Sequence, residues 1–509
     1  MPSPKQPPNA IDQTHERATN LWGWLIGTIA LAVVLGTIEA IAPNLIITNF
    51  NAILANIVAL LDAVLFVDIF GIPLVVLWLS LGAIVLTVRL GFVNLWGLRH
   101  SLQVLVHPEV SANQPGEVTS FQALSMALAA TVGLGNISGV AIAIQLGGPG
   151  AVFWMTLAAL LGMSSKFVES TLAQTYRSIL PGGHILGGPM YYLRDGLAEI
   201  GRPRLGRYLS LAFAILCLLS ALGSGSMFQT TQAYIAIQTL APVPIWIFGP
   251  VVAGLVGIVI LGGIRRVGSV ASMLVPLMAG VYLLATGWVL LHNFGAIPQA
   301  IGAIAQGVTS PVAAISGGSI GVMVQGLRRA AFSNEAGLGS SAMAHVAART
   351  TCPVREGFVA LLEPMIDTVL ICNLTAFVIL TTGSHTLGLS GIEITIAAFR
   401  SNLSWFPNIL AIATMLFAFS TAIAWSYYGE QCWSYLLGGR WIRLYRMLFV
   451  VATFFGCFGQ DLVTIIDFSD MMFFALAFPN VIGCVLLSGK VSRDLRHYWT
   501  HRAPLNQQP

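Results

Sequence analysis

Residues 131–139 read Thr-Val-Gly-Leu-Gly-Asn-Ile-Ser-Gly, and residues 332–341 read Phe-Ser-Asn-Glu-Ala-Gly-Leu-Gly-Ser-Ser. Each sets Gly-Leu-Gly beside an asparagine inside an otherwise apolar stretch. Glycine weakens a helix by about 1 kcal/mol relative to alanine, so both stretches predict helices interrupted midway. Backbone groups freed in hydrocarbon cost several kcal/mol unless something inside the protein satisfies them. The N–H groups opening a half-helix suit a carboxylate, and exposed carbonyls suit Na⁺. Asparagine supplies both a donor and an acceptor. The implied chemistry is reversible capture of a small polar guest with an ion. The glycines alone would equally serve close helix packing. A pair of asparagine-bearing breaks favours the binding reading.

Such breaks matter only if the helices that carry them cross a membrane. Of the 509 residues, 56% are hydrophobic and 9% charged, with a mean hydropathy of +0.81, against about 25% charged in soluble proteins. The apolar residues fall in runs of roughly 17–25, the length that crosses about 30 Å of hydrocarbon. The alternation of a membrane barrel is absent. The fold class is therefore an all-α polytopic membrane protein, with spans at 22–42, 73–89, 119–145, 150–175, 208–236, 244–262, 268–291, 313–347, 358–382, 408–436, 445–460 and 470–488. With the loop after 73–89 placed in the cytoplasm, eighteen Lys and Arg fall in cytoplasmic segments and one, Arg400, in the opposite loops, a positive-inside bias that supports both the count and the sidedness. The two broken spans lie five apart and so cross in opposite directions, as in an inverted five-helix repeat.

The organisation read from the chain is a disordered cytoplasmic tail over 1–20, an accessory helix over 21–45 and an interfacial plus a peripheral transmembrane helix over 46–118. A ten-helix core over 119–490 and a cytoplasmic tail over 491–509 follow. The first apolar run is long for a signal peptide and reads as a retained helix. Stretches 51–68 and 295–307 read as interfacial helices, and 181–196 as Gly/Pro-rich turns. The six cysteines form no Cys-x-x-Cys pair and read as apolar packing residues. His107, His184, His292 and His345 lack metal-ligand spacing, so no cofactor is expected beyond a transported ion. Intramembrane Lys166, Glu169, Glu335, Glu363 and Asp367 need partners. Lys166 and Glu169, three apart, are expected to pair on one helix face, and Arg328 and Arg329 to neutralise Glu335. Glu335 is a gating or coupling candidate, and Asp367 is the one to test for a cation or proton role.

The runs TVGLGNISGVAIAIQLGGPGAVFWMTLAALLGMSSKFVESTLAQTYR (131–177), GGPMYYL (187–193), FSNEAGLGSSAMAHVAART (332–350) and FAFSTAIAWSYYGEQCWSYLLG (417–438) resemble the alanine/glycine:cation symporter family, from about residue 70 to about 490. The resemblance implies the leucine-transporter fold, with discontinuous core helices one and six. It implies a substrate site at Gly133, Leu134, Gly135 and Asn136, joined by Gln229 on core helix three, with Phe332 and Trp425 as caps. It also implies Na⁺ held by the Ala129 and Val132 carbonyls with the hydroxyls of Ser420 and Thr421. Gln229 could equally be interhelical hydrogen-bonding glue, the two rings core packing, and the hydroxyls back-bonded to their own helix. The family usually has Thr where this chain has Leu134, so a hydroxyl near substrate or ion is lost. The expected partners are a small amino acid, Na⁺ and the bilayer of the cell (inner) membrane, and no nucleic acid. The expected activity is Na⁺-coupled symport of alanine or glycine. Proton coupling is the alternative, and an enzyme or a channel fits less well, since no catalytic constellation or zinc motif is present.

Overall fold

The computed structural model describes residues 65–69, 71–107, 114–180, 183–238, 240–308, 318–403, 405–458 and 462–502, with isolated Gly27, Asn56 and Ala59. The expected tail 1–20, the accessory helix and most of the stretch 51–68 lie outside the described residues.

Among the described residues the chain is helical, with two small hairpins. Strands β1 (Asp68–Ile69) and β2 (Ile72–Pro73) precede α1 (Leu74–Arg89). The first broken span is α2 (Ser120–Thr131), a π-helical turn Gly135–Gly139 and α3 (Val140–Gly147). Next come α4 (Ala151–Thr175), the hairpin β3 (Ser178–Ile179) and β4 (Ile185–Leu186), α5 (Pro203–Leu222), a π-helical turn Gly223–Met227 and α6 (Phe228–Gln238). Helices α7 (Ile245–Ile260), α8 (Gly263–His292) and α9 (Ile297–Gly307) lead to the second broken span, α10 (Gly318–Asn334) and α11 (Ala342–His345). Helix α12 (Pro353–Ala360) leads through a π-helical stretch Met365–Cys372 to α13 (Asn373–Thr381). The chain ends with α14 (Ile392–Arg400), α15 (Phe406–Leu437), α16 (Ile442–Phe455), α17 (Leu462–Ala475) and α18 (Ala477–Arg502).

Among the described residues six helices are long and apolar enough to cross a membrane, seven with the bent pair at the first break, and α1 and α7 are shorter apolar helices. The chain is thus a multi-pass membrane protein. The full series of expected spans is not recovered by length because the second break leaves two short pieces and α16 has only 14 residues. Helix α4 runs through the centre, packed on α10 and α12. Helix α15 packs on α5 and α6, and α8 on α2. Small residues permit the close crossings. A Cβ on Gly162 would sit 2.7 Å from that of Ala336, and one on Gly225 2.4 Å from that of Trp425.

Local sequence accounts for the ends. Thr119 and Gln122 cap α2 reciprocally, Gln122 N donating to Thr119 Oγ1 at 3.1 Å and Thr119 N to Gln122 Oε1 at 3.0 Å. Pro203, Pro353 and Pro407 stand at helix starts, where their missing N–H costs nothing. The break at Leu476 falls where Pro479 cannot donate to Ala475. The stretch 295–307 is helical, as α9. The stretch 181–196 is less turn-like than expected, since Pro189–Tyr191 and Tyr192–Gly196 are helical. Helix α18 continues through 491–502, read in the sequence as a tail.

Candidate functional site

The first break bends its span by 53°. Val132 is extended, with φ −72° and ψ 107°, which takes Val132 and Gly133 off the helix before it resumes at Leu134. The freed Gly133 N–H donates to Asn136 Oδ1 at 2.7 Å. Asn136 Nδ2 donates to Asp367, 2.8 Å to Oδ1 and 2.9 Å to the backbone carbonyl, with Cys372 Sγ a further acceptor at 3.3 Å. Asn136 is thus a clasp between the first break and the π-helical stretch Met365–Cys372. The Gly133 amide, expected to receive a carboxylate, is already engaged. Thr395 on α14 closes the far side of the break by donating to Ile137 O at 2.9 Å.

The second break meets the same carboxylate. Helix α10 ends at Asn334, and Glu335 turns the chain in the left-handed region with φ 57°. A non-glycine residue there costs about 1–3 kcal/mol and persists only where its surroundings over-determine it. Gly337 and Gly339 follow at φ 90° and 79°, where a Cβ would meet Leu79 and Asn480 respectively. Ser333 Oγ donates to Asp367 Oδ2 at 2.7 Å, as does Thr368 Oγ1, and Asn334 Nδ2 donates to Thr368 Oγ1 at 3.0 Å. Asp367 is fully buried and is the point at which the two broken spans and the span after them are tied together.

Beside this knot lies the expected pocket region. Gln229 Nε2 donates to Ser224 O at 3.1 Å, while its buried Oε1 has no partner. Buried Trp425 packs at a tilt on Phe473 with ring centres 5.4 Å apart, and Phe473 likewise on Phe332 at 5.3 Å. Phe473 on α17 therefore joins the two rings expected as caps, a role that nothing in its local sequence marks. Leu134 packs with Met227, Phe228, Phe468 and Met472, with Phe332 against them, so the side chain standing where the resembled family has Thr is an apolar wall. Replacing Gly225 by Ala is expected to push Trp425 off this wall. The displaced atom is a Cβ, which cannot swing aside, so melting should fall by the equivalent of about 1–3 kcal/mol and amino-acid uptake should drop in parallel; an unchanged melting temperature would contradict the crossing described.

The four expected Na⁺ ligands divide. Thr421 Oγ1 donates to Ala129 O at 2.8 Å, joining α15 to α2. Ser420 Oγ instead donates to Phe417 O at 2.8 Å, back to its own helix. Val132 is buried immediately after α2. No group of three or more potential metal-ligating His, Cys, Asp or Glu side chains occurs among the described residues.

Two of the expected charge pairings are corrected. Lys166 does not pair with Glu169 but reaches Glu363 Oε2 at 2.9 Å and Ser341 Oγ at 2.5 Å. Glu169 instead accepts from Asn480 Nδ2 at 2.7 Å. Arg328 and Arg329 bind Asp470 at 2.8 and 3.1 Å rather than Glu335. Glu335 accepts a short hydrogen bond from Ser340 and has the Trp425 indole as a further hydrogen-bonding neighbour. The reason is rotation. Residues three apart share a helix face only loosely, and α4 presents Lys166 to α12 and the following turn, while Glu169 meets α18.

Just beyond α4, Arg177 ties several segments together, its guanidinium donating to the carbonyls of Val346, Ala348, Pro115 and Thr350 at 2.6–3.1 Å. Burial lowers its pKa from the ordinary value, opposed by the charge of Glu356. A parallel bridge between Val118 and Ala348 adds to this closure. Arg328 and Arg329 hold Asp470, three residues before Phe473, with the Arg329 guanidinium 5.8 Å over the Phe332 ring. The arrangement can enclose a small guest between a guanidinium held by backbone carbonyls and an ion-paired cluster.

The profile of the sodium:alanine symporter family matches residues 51–508. The sodium/alanine symporter AgcS of Methanococcus maripaludis is 39% identical over 435 residues, covering 84% of this chain and 95% of that protein. The probable sodium/glutamine symporter GlnT of Bacillus subtilis is 35% identical over 431 residues, 84% of this chain and 87% of its own length. Among solved structures, a manganese transporter of Eremococcus coleocola superimposes with a TM-score of 0.50 at 14% identity, over 73% of this chain and 85% of that one. At that identity the likeness is one of fold.

Proposed function

Because the chain belongs to the sodium:alanine symporter family, and is therefore a transporter and not an enzyme, we propose that it carries a small neutral amino acid, alanine or glycine, together with Na⁺ by alternating access. The observation that carries this reading is the convergence of two broken spans, five apart in the chain, on the single buried carboxylate of Asp367. Helices of opposite direction joined at their breaks form one mechanical centre, around which two five-helix halves can rock as in the leucine-transporter fold. The core then runs over 119–490, with α1 peripheral, in the cell membrane with the arginine-rich side inward.

In this reading the substrate ammonium meets Gln229 Oε1, an acceptor that is buried and otherwise unpartnered. Its carboxylate takes the N–H groups of Gly133 to Asn136 once the Asn136 side chain releases Gly133. Phe332, Trp425 and Phe473 close over it, and Leu134 with Phe228 and Met227 leaves room for a methyl better than for an extended amide. Na⁺ sits where Thr421 meets Ala129, with Ser420 rotating off the Phe417 carbonyl to join Val132. Its ligands are neutral oxygens, which hold a hard cation loosely enough to release it. A proton is the alternative coupling ion, favoured by the burial of Asp367 and Glu335.

Labelled alanine uptake into proteoliposomes tests the proposal. An inward Na⁺ gradient is expected to drive accumulation above equilibrium, and Thr421→Ala to raise the Na⁺ concentration for half-maximal uptake at least tenfold. Accumulation driven as well by a pH gradient without Na⁺, and unaffected by Thr421→Ala, would replace Na⁺ by H⁺. Accumulation of neither alanine nor glycine under an inward Na⁺ gradient would overturn the substrate.

A further inference from the structure

Glu169, in the last two turns of α4, is fully buried and is bonded through one carboxyl oxygen only. Asn480 Nδ2 donates to Oε1 at 2.7 Å, and the Gly337 amide is a further hydrogen-bonding neighbour, while Oε2 has no hydrogen-bond partner. Both of these donors are neutral amides. The charges on the elements around it are committed elsewhere. On its own helix Lys166 binds Glu363 and Ser341. His345 of α11 lies between Glu356 of α12 and Glu363, and Arg355 of α12 reaches His107 O. In the second broken span Arg328 and Arg329 hold Asp470, and Glu335 accepts from Ser340. Arg89 of α1 donates to Val485 O and Ser488 Oγ, Lys490 of α18 binds Glu199, and Arg194 pairs with Asp195. Cys484 of α18 and Tyr192 lie near the carboxyl and bring a thiol and a phenol, not a positive charge.

The charge balance follows. Lys166 and His345 give this buried region two positive charges against four carboxyls, Glu169, Glu335, Glu356 and Glu363, and both are matched by Glu356 and Glu363. A carboxylate out of water with no counter-charge takes up a proton instead. Glu335 has the Ser340 hydroxyl and the Trp425 indole to stabilise it. Glu169, with a bare oxygen, does not.

We propose that Glu169 is a proton-binding site: it holds a proton on Oε2 while Asn480 ties it to the second break, and yields that proton to water when the break moves away. Asn480 Nδ2 also donates to Gly337 O at 2.8 Å, and a Cβ on Gly339 would come 2.7 Å from Asn480 Oδ1. The side chain that holds the carboxyl therefore holds the break as well. Glu169 stands about 9 Å along the axis from the end of α4, which Arg177 follows. Once Gly337 and Gly339 leave Asn480, water enters from the side of Arg177, the Oε2–H bond breaks towards that water, and a hydrated carboxylate remains. The proton is bound more tightly with the break in place than after it has moved. Acid therefore holds the break in place and alkali releases it. The site shares no residue with the solute or Na⁺ positions and does not depend on which amino acid is carried.

Two measurements on the full-length protein in nanodiscs test this, and neither needs a transported solute. At neutral pH the infrared difference between the parent and Glu169→Gln should contain the carbonyl band of a neutral carboxylic acid, present in the parent alone. A carboxylate band in its place would overturn the proposal. Amide hydrogen exchange over residues 335–341 reads the second step. Parent and variant are compared at the same pH, so intrinsic exchange rates cancel. One proton released per opening raises the ratio of opening, parent over variant, by up to about tenfold per pH unit. A rise of at least tenfold is expected between about pH 6 and about pH 8. A ratio that stays flat would mean a carboxyl that keeps its proton for packing alone, and the proposal would be abandoned. Glu169→Met, equally uncharged, takes the place of Glu169→Gln in both measurements if that variant does not fold.

Discussion

Asp367→Ala is expected to lower amino-acid uptake at least 100-fold and to destabilise the protein measurably. The substitution takes the acceptor from Ser333 Oγ, Thr368 Oγ1 and one hydrogen of Asn136 Nδ2, all buried. Each donor left without a partner costs about 1–3 kcal/mol, and the two hydroxyls can recover part of that by turning to backbone carbonyls. The net expectation is a loss of about 2–4 kcal/mol in stability. The loss of transport is larger because the carboxylate joins both broken spans, and their register is the site. Asp367→Asn separates charge from connection. It preserves volume and one acceptor oxygen, so melting should fall by only a few degrees. If the charge takes part in coupling, Na⁺-driven accumulation is lost while facilitated exchange survives. Uptake by Asp367→Ala within twofold of the parent would refute the central role given to this residue.

The two breaks were legible because they violate a strong local rule. Glycine and asparagine inside a 25-residue apolar run contradict both helix propensity and lipid exposure, and residues 131–139 and 332–341 do so visibly. Asp367 was legible for the same reason, as a charge within a span. The cap of α2 was written in the Thr119–Gln122 spacing. What was not legible was every contact set by the rotation of one helix against another. Lys166 has Glu169 three residues away, yet the packing of α4 on α12 turns it to Glu363. Arg328 and Arg329 are closest in sequence to Glu335 and bind Asp470, some 140 positions later. Ser420 and Thr421 are adjacent and identical in chemistry for a cation, but successive helical positions point about 100° apart, so one hydroxyl reaches α2 and the other returns to its own helix. Phe473 and Asn480 carry no local signal at all. Their importance comes from the break at Leu476, which aims Phe473 at Trp425 and Asn480 at Glu169 and Gly337.

The same long-range logic makes Lys166→Met the second large effect. Lys166 belongs to a buried chain of polar groups: Ser120 donates to Glu356 at 2.8 Å, and His345 bridges Glu356 and Glu363 at 2.7 and 2.6 Å. Glu363 then meets Lys166, and Lys166 meets Ser341. Both ring nitrogens of His345 face carboxylate oxygens, the geometry of an imidazolium between two carboxylates. With Lys166 the set holds two positive and two negative charges, and every one of these four side chains is at most 1% exposed. Its members come from α4, α11, α12 and the turn after it, so the set fastens the inner half of the second broken span to its neighbours. Removing one partner of a buried pair leaves an uncompensated charge and costs about 3–5 kcal/mol. Lys166→Met should therefore abolish the folded protein at ordinary growth temperature or lower its melting temperature sharply. Adding Glu363→Gln removes the orphaned charge as well, and the double variant should recover more than half of the loss, since the pair contributes far less than the penalty for breaking it. A double variant no more stable than Lys166→Met would mean that the two side chains act independently. Charge balance, rather than the number of contacts, is then the quantity to preserve when this half of the molecule is altered.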